Sequence, residues 1–177
     1  MVSSPALTTL LVDGYNIIGA WPKLQKIRDR HNLEAARDKL SEVLSNYSAF
    51  RGYQTHLIFD AHFQPGQGSN EIVTDLLHIF YTESGQTADT HIELYCAQAR
   101  QRTGRIRVAT SDSAQKLTVM GYGAEWMSAQ QLVTDLMGTM RSIQESQRSA
   151  KLQPGRLLAH GLDPEAKRRL EQLRFGQ

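Results

Sequence analysis

Three aspartates of this 177-residue chain stand behind short apolar runs: Asp13 after Leu7–Val12, Asp60 after Thr55–Phe59, and Asp112 after Arg105–Thr110 and Ser111. A fourth, Asp89, lies two residues past Thr87, a residue type that caps helices, and so falls in a first helical turn. If the apolar runs are parallel strands, Asp13, Asp60 and Asp112 leave the sheet at one edge, and Asp89 points back at that edge. Ligands of open α/β sheets bind at that edge, outside the carboxyl ends of the strands. Four carboxylates on one rim repel one another unless something positive sits among them. A hard divalent cation resolves this, since Mg²⁺ binds through one or two carboxylates together with waters and substrate phosphates. Taken singly, each acid has another explanation, because Asp opens turns and complements a helix N-terminus. Their topological equivalence is what points to a metal.

Neighbouring residues fit the same chemistry. Asn16, three residues after Asp13, suits a phosphate or a water in the site. Thr110 and Ser111 offer hydroxyls to phosphate oxygens, or cap the following helix. Arg37, early in a helix, suits a phosphate or an acidic neighbour. Glu93, one helical turn beyond Asp89, is an outer ligand or an exposed acid. His91 should face away from Asp89 on its helix. His62, beside Asp60, is a loop histidine within reach of the rim.

The elements that must position these groups are legible as alternating patterns. Leu7–Val12, Thr55–Phe59, Leu76–Tyr81, Arg105–Thr110 and a short Ala124–Met127 read as strands, while 64–70 reads as a loop. Helices are expected from Asn32 to Gly52, from Thr87 to about Arg102, over Ser113–Met120, and from the Ser128–Gln131 capping box to about Arg148. Gln153-Pro-Gly155 interrupts the chain, and Asp163-Pro164 opens a last charged helix. Strands alternating with helices predict a parallel sheet covered on both faces.

Composition sets bounds. The length suits one domain with an appendage. No run of 18 or more apolar residues is present, so a membrane span is excluded, and the N-terminus lacks the basic start of a signal peptide. One cysteine, Cys96, precludes an internal disulfide framework and a multi-cysteine zinc module. These features point to a soluble protein of a reducing compartment, the cytoplasm. The net charge of +2 is uneven: residues 1–140 carry 12 Lys and Arg against 14 Asp and Glu, and residues 141–177 carry 8 against 4. The basic tail, with Lys167-Arg-Arg169, suits a polyanion or is a solvated face. Lys23, Lys26, Arg28 and Arg30 near Trp21 form a second basic stretch suited to single-stranded nucleic acid. Arg100, Arg102, Arg105 and Arg107 form a third, placed at the sheet edge opposite the acids.

The motifs in order make a wider pattern. Leu11-Val-Asp-Gly-Tyr-Asn-Ile-Ile-Gly-Ala-Trp-Pro22, Ala36-Arg-Asp-Lys-Leu40, Phe59-Asp-Ala-His62, Tyr81-Thr-Glu83, Thr87-Ala-Asp89, Thr110-Ser-Asp112 and the 123–129 segment resemble the YacP-like NYN domains of the PIN-like nuclease superfamily. The resemblance covers about residues 7–150, leaving 151–177 as a basic helical extension. It implies a three-layer α/β PIN-like (NYN) fold, with a central, mostly parallel sheet flanked by helices and a C-terminal helical tail. It also implies an Mg²⁺- or Mn²⁺-dependent endoribonuclease acting on mRNA in a ribosome-associated setting. Asp13, Asp89 and Asp112 would be the catalytic and metal-ligating acids, with Asp60 a fourth. Asn16, Thr110, Ser111 and Arg37 would contact substrate. Attack by water would leave a 5′ phosphate and a 3′ hydroxyl. The competing reading is an RNA- or ribosome-binding module with little or no activity. An aspartyl phosphatase would want a second acid two residues after Asp13, where Tyr15 stands.

Overall fold

The computed structural model describes residues 7–60, 68–99 and 104–151. Elements follow in the order β1 (Thr8–Asp13), α1 (Gly14–Ala20), α2 (Pro22–Arg30), α3 (Leu33–Arg51), β2 (Tyr53–Phe59), β3 (Ser69–Thr74), β4 (Leu77–Tyr81), α4 (Ala88–Ala99), β5 (Ile106–Ala109), α5 (Ser113–Gly121), β6 (Glu125–Met127) and α6 (Ala129–Lys151). The residues through Met140 form one compact unit, and a second begins at Arg141. Of the second, the described part is helical, and through Ala150 only Ile143 is more than superficially covered.

The six strands form one sheet in the order β3-β4-β2-β1-β5-β6. Strand β1 lies between β2 and β5 and is parallel to both, β4 is parallel to β2, and β6 is parallel to β5. Only β3 runs antiparallel, against β4. Side-chain alternation divides the strands between two cores. Leu10, Val12, Leu57, Phe59, Leu77 and Ile79 face the helices α1, α2, α3 and α6, whose Ile17, Leu24, Leu40, Leu44, Leu132 and Leu136 are fully buried. Leu11, Ile58 and Val108 face the opposite way, onto Ala88, Ile92 and Cys96 of α4 and Val119 of α5. Each fully buried Leu or Ile contributes roughly 1.5–3 kcal/mol. The sheet is therefore covered on both faces, as the alternating pattern predicts, and has the three-layer α/β architecture, mostly parallel, that the resemblance implies.

Helix ends follow local chemistry. Asn32 Oδ1 accepts the Ala35 N–H at 2.8 Å and caps α3, and Gly52 ends that helix in the left-handed region at φ 66°. Pro22 opens α2 at its first position. The capping box before α6 is reciprocal: Gln131 N–H donates to Ser128 Oγ at 3.1 Å, and Ser128 N–H donates to Gln131 Oε1 at 2.8 Å.

One expectation needed revision. Ser69 and Asn70, read as loop, begin β3, and all six β3 residues are exposed, so no hydrophobic alternation marks the strand. The segment after Asp13 forms two helices, α1 and α2, before α3 begins. The proline break at 153–155, the last helix, the Lys167 cluster, His62, Arg100 and Arg102 lie outside the described residues.

One buried base on the α4 side sets an acid limit on stability. His56 of β2 is 8% exposed, and its Nδ1 is buried without a partner. Phe80, Tyr95 and His78 surround its ring at 4.9, 5.1 and 6.0 Å. Burial first, then the nearby His78 and His91, push its pKa down to about 4. The unfolded chain takes up this proton near pH 6.5, as any exposed histidine does, whereas the folded chain refuses it to about pH 4. Stability present above pH 6.5 is therefore lost as the pH falls through that window, by roughly 3 kcal/mol. Replacing His56 by Phe is expected to flatten this part of the denaturation curve; an unchanged slope between pH 7 and 4 assigns the loss elsewhere.

Candidate active site at the carboxyl edge of the sheet

The parallel strands deliver the acids to one edge. Asp13 is the last residue of β1, and Asp60 follows the last residue of β2. Asp112 comes three residues after β5 and is the N-cap of α5, and Asp89 is in the first turn of α4. Thr87 Oγ1 accepts the Thr90 N–H at 3.1 Å, which fixes the start of α4 and with it Asp89.

Asp13 is 6% exposed, and it accepts from the Asn16 N–H at 3.1 Å through Oδ1 and from Asn16 Nδ2 at 2.6 Å through Oδ2. Burial holds its pKa above the usual carboxylate value, against the lowering effect of the Asn16 bonds. Asp112 accepts from Ala114 N–H at 2.7 Å and Gln115 N–H at 3.1 Å, both through Oδ1, which leaves Oδ2 outside the cap. Both aspartates therefore have the structural roles that turns and caps demand. Asp89 is different. Its pKa is pushed up to about 6, by burial first and then by the charges of Asp13, Asp112, Glu93 and Asp60. No cation stands among those influences, and four acids from four elements converge electrostatically on one carboxyl.

A cavity of ≈ 240 Å³ opens here, lined by Asp13, Tyr15, Asn16, Asp60, Thr87, Ala88 and Asp89. A larger hollow of ≈ 620 Å³ between β6 and α6 surrounds the Arg107–Glu125 ion pair and holds none of the four acids. Among the described residues, no three His, Cys, Asp or Glu side chains stand close enough to hold a metal ion by themselves. The donor set still fits a hard cation: it is all carboxylate oxygen, short of positive charge, and Mg²⁺ needs only one or two such ligands beside its waters.

The other residues singled out in the sequence fall into place around this cavity or away from it. Thr110 is fully buried, and its Oγ1 accepts the Asp112 N–H at 3.1 Å, so it sets the Asp112 turn. Ser111 is exposed and lines an adjoining hollow. Arg37 lies 5.8 Å from both the Phe59 and Tyr81 ring centroids, and its charge opposes the upward pull of burial on the Tyr15 pKa. His91 packs against Phe80 at 5.2 Å, and burial lowers its pKa, so it serves the α4 layer. Cys96 is buried, and burial, then Glu93, push its thiol up to about 11, far from a reactive thiolate. Arg105 and Arg107 pair with Glu125 at 3.5 and 2.7 Å. Trp126 is half-buried, its Nε1 donating to the Thr110 carbonyl at 3.1 Å beneath the Lys116 ammonium, 4.0 Å from its ring.

Two residues escaped the sequence reading. Tyr15 stands between Asp13 and Asn16 of its motif and lines the cavity with them. Gln115 is buried with both amide atoms unpartnered, one helical position pair beyond Asp112, an arrangement that calls for an ordered water. Only its i+3 spacing from Asp112 hints at this in the sequence.

The model of the YacP-like NYN domain matches residues 10–175. The chain belongs to the YacP-like NYN domain family. The match runs through the tail, past residue 150, where the motif resemblance ends. This NYN domain is 33% identical over 135 residues to the uncharacterized protein YacP of Bacillus subtilis (strain 168), covering 76% of this chain and 78% of that one. It is similar to a mutant form of Rae1 (YacP) from Bacillus subtilis in a crystal structure, with a TM-score of 0.71 and 30% identity over 84% of this chain and 87% of that chain. Another crystal structure of Rae1 (YacP) matches with a TM-score of 0.70, 30% identity and 95% coverage of both chains. NYN domains fall within the PIN-like nucleases, a superfamily of nuclease-type hydrolases that generally use divalent metals, and such a domain implies RNA binding. Among the described residues, no helix is long and apolar enough to cross a membrane.

Proposed function

We propose that this NYN domain is an Mg²⁺- or Mn²⁺-dependent endoribonuclease that hydrolyses RNA phosphodiester bonds, mRNA in a ribosomal setting, in the cytoplasm. The observation that supports this reading is geometric: Asp13, Asp60 and Asp89, carried by three different elements, line one cavity at the carboxyl edge of the sheet. Asp13, Asp89 and Asp112 would hold the ion, and Asp60 would serve as the fourth acid. When bound, the ion lowers the pKa of a water and offsets charge gathering on the phosphate. The chain itself supplies position. Asn16 locks both oxygens of Asp13, the α5 N-terminus locks Asp112, and the Thr87 cap sets Asp89. Asn16, Thr110, Ser111 and Arg37 would contact the substrate, Asn16 from the lining of the acid cavity and Ser111 from the adjoining hollow. With water as nucleophile, the products carry a 5′ phosphate and a 3′ hydroxyl. The ribosomal setting rests on the family resemblance of the motifs.

A binding module without activity is the second reading, favoured by the fact that Asp13 and Asp112 already cap helices. The deciding experiment incubates the purified chain with a long mRNA, with and without translating ribosomes and Mn²⁺, and maps the cut ends. Parallel melting curves read ion binding, since a ligand at about 100 times its Kd stabilises the folded state by about 2.7 kcal/mol. Ion-dependent cuts with 5′ phosphates and a raised melting temperature support the nuclease. Bound RNA, no cuts and no shift with Mn²⁺ leave the binding module. In the same assay, truncation after residue 150 tests the basic extension 151–177 as an outer contact for the polyanion; unchanged RNA binding removes that role.

A further inference from the structure

We infer that the hollow next to the acid cavity is a nucleoside subsite, which seats one base of the RNA strand against the Tyr15 ring; this rests on the nuclease reading above. Tyr15 and Asn16 line the ≈ 240 Å³ acid cavity and also a second hollow of ≈ 490 Å³, whose other walls are Gly19, Ala20 and Ser111. The two spaces therefore share a wall. None of the five residues around the second hollow carries a formal charge. An RNA strand has its charge on phosphate and an uncharged base and sugar between phosphates, so a phosphate at the acids leaves the neighbouring nucleoside for the uncharged hollow. Its volume lies within the roughly 300–1,000 Å³ of small-molecule sites.

Tyr15 is held ready for stacking. Its ring lies 5.1 Å from that of the fully buried Phe59, inclined at 56°, which packs it against the core. A ring fixed before binding gives up little freedom when a base settles on it, and stacking tolerates any base because each has a π-face. Gly19 and Ala20 add only the smallest side chains to the lining of the hollow. A Cβ on Gly19 would meet nothing within 4 Å, so this position borders open space. The Gly19 carbonyl accepts from the Gln25 amide, which ties the end of α1 to α2. Ser111, next to Asp112, also lines the hollow and carries a hydroxyl, within the chemistry of a ribose.

The test fills the space and asks whether one base notices. In an Asp89→Asn background, which separates binding from cleavage, fluorescence anisotropy is measured with a short single-stranded oligoribonucleotide and with versions carrying one abasic residue at successive positions. Abasic replacement at one position is expected to weaken binding about tenfold, the scale of one lost stacking contact. Adding Gly19→Trp should weaken the intact strand by a similar factor and remove the penalty at that position. Gly19→Leu provides the smaller filling, Met137→Trp on exposed α6 provides a remote control, and melting curves confirm folding. Correctly folded Gly19→Trp and Gly19→Leu proteins that bind the intact strand like the parent, or keep the abasic penalty, overturn the subsite. Because cleavage is not read, absence of Mn²⁺-dependent cutting in the unmodified chain would overturn the nuclease assignment separately.

Discussion

Asp89→Asn is expected to lower kcat for RNA cleavage more than about 100-fold, because losing a partner of a metal ligand already costs roughly 10- to 100-fold and here the charged ligand itself goes. The same substitution should raise the melting temperature of the metal-free protein. Asp89 carries a pKa of about 6 because burial and four neighbouring acids disfavour its charge. At neutral pH that charge opposes folding, and the isosteric amide removes it. Allowing for solvent screening at a half-buried group, the gain is about 1 kcal/mol, or about 2–4 °C for a domain of this size. A lost activity with a raised melting temperature distinguishes a strained functional acid from a structural one. Asp13→Asn should also abolish cleavage, but with less gain, since Asn16 donates to both oxygens of Asp13 and favours its charged form. Full activity in Asp89→Asn, or a melting temperature that falls, would remove Asp89 from the site.

Gly14→Ala is expected to destabilise the fold by about 2–3 kcal/mol, near the top of the range for overpacked cores, which lowers the melting temperature by about 5–10 °C. A Cβ at Gly14 would run into the Phe59 ring, with Cδ1 at 2.6 Å and Cζ at 2.8 Å. That ring has little room to yield, with Tyr15 and Tyr81 at 5.1 and 5.7 Å and the Arg37 guanidinium 5.8 Å from its centroid. Phe59→Leu in the same molecule should recover part of the loss by making room, a coupling that differential scanning calorimetry can read. Wild-type melting by Gly14→Ala would show that the ring moves freely. The need here is for close approach, not an unusual backbone, since Gly14 sits in the first turn of α1.

The acids were legible because their signal is local: an aspartate behind an apolar run needs only the parallel topology to become an edge residue. Strand β3 was not, because a strand exposed at all six positions loses the alternation that burial imposes. The paired helices after Asp13 were obscured because Gly14-Tyr-Asn-Ile-Ile-Gly-Ala20 is too short and too glycine-rich to show helical periodicity. Thr110 shows another limit: a hydroxyl beside an acid reads equally as a substrate contact or a cap, and only its complete burial under the Asp112 N–H separates them. Tyr15 went unnoticed because stacking surfaces need a neighbour on the far side, and Phe59 lies 44 positions away in the chain.

The central place of β1, flanked by β2 on one side and β5 on the other, also means that the sheet cannot be completed until residues far along the chain have been made. A growing chain that already holds β1 and β2 leaves the other edge of β1 bare until β5 is added, so that edge stays open to unwanted pairing until then.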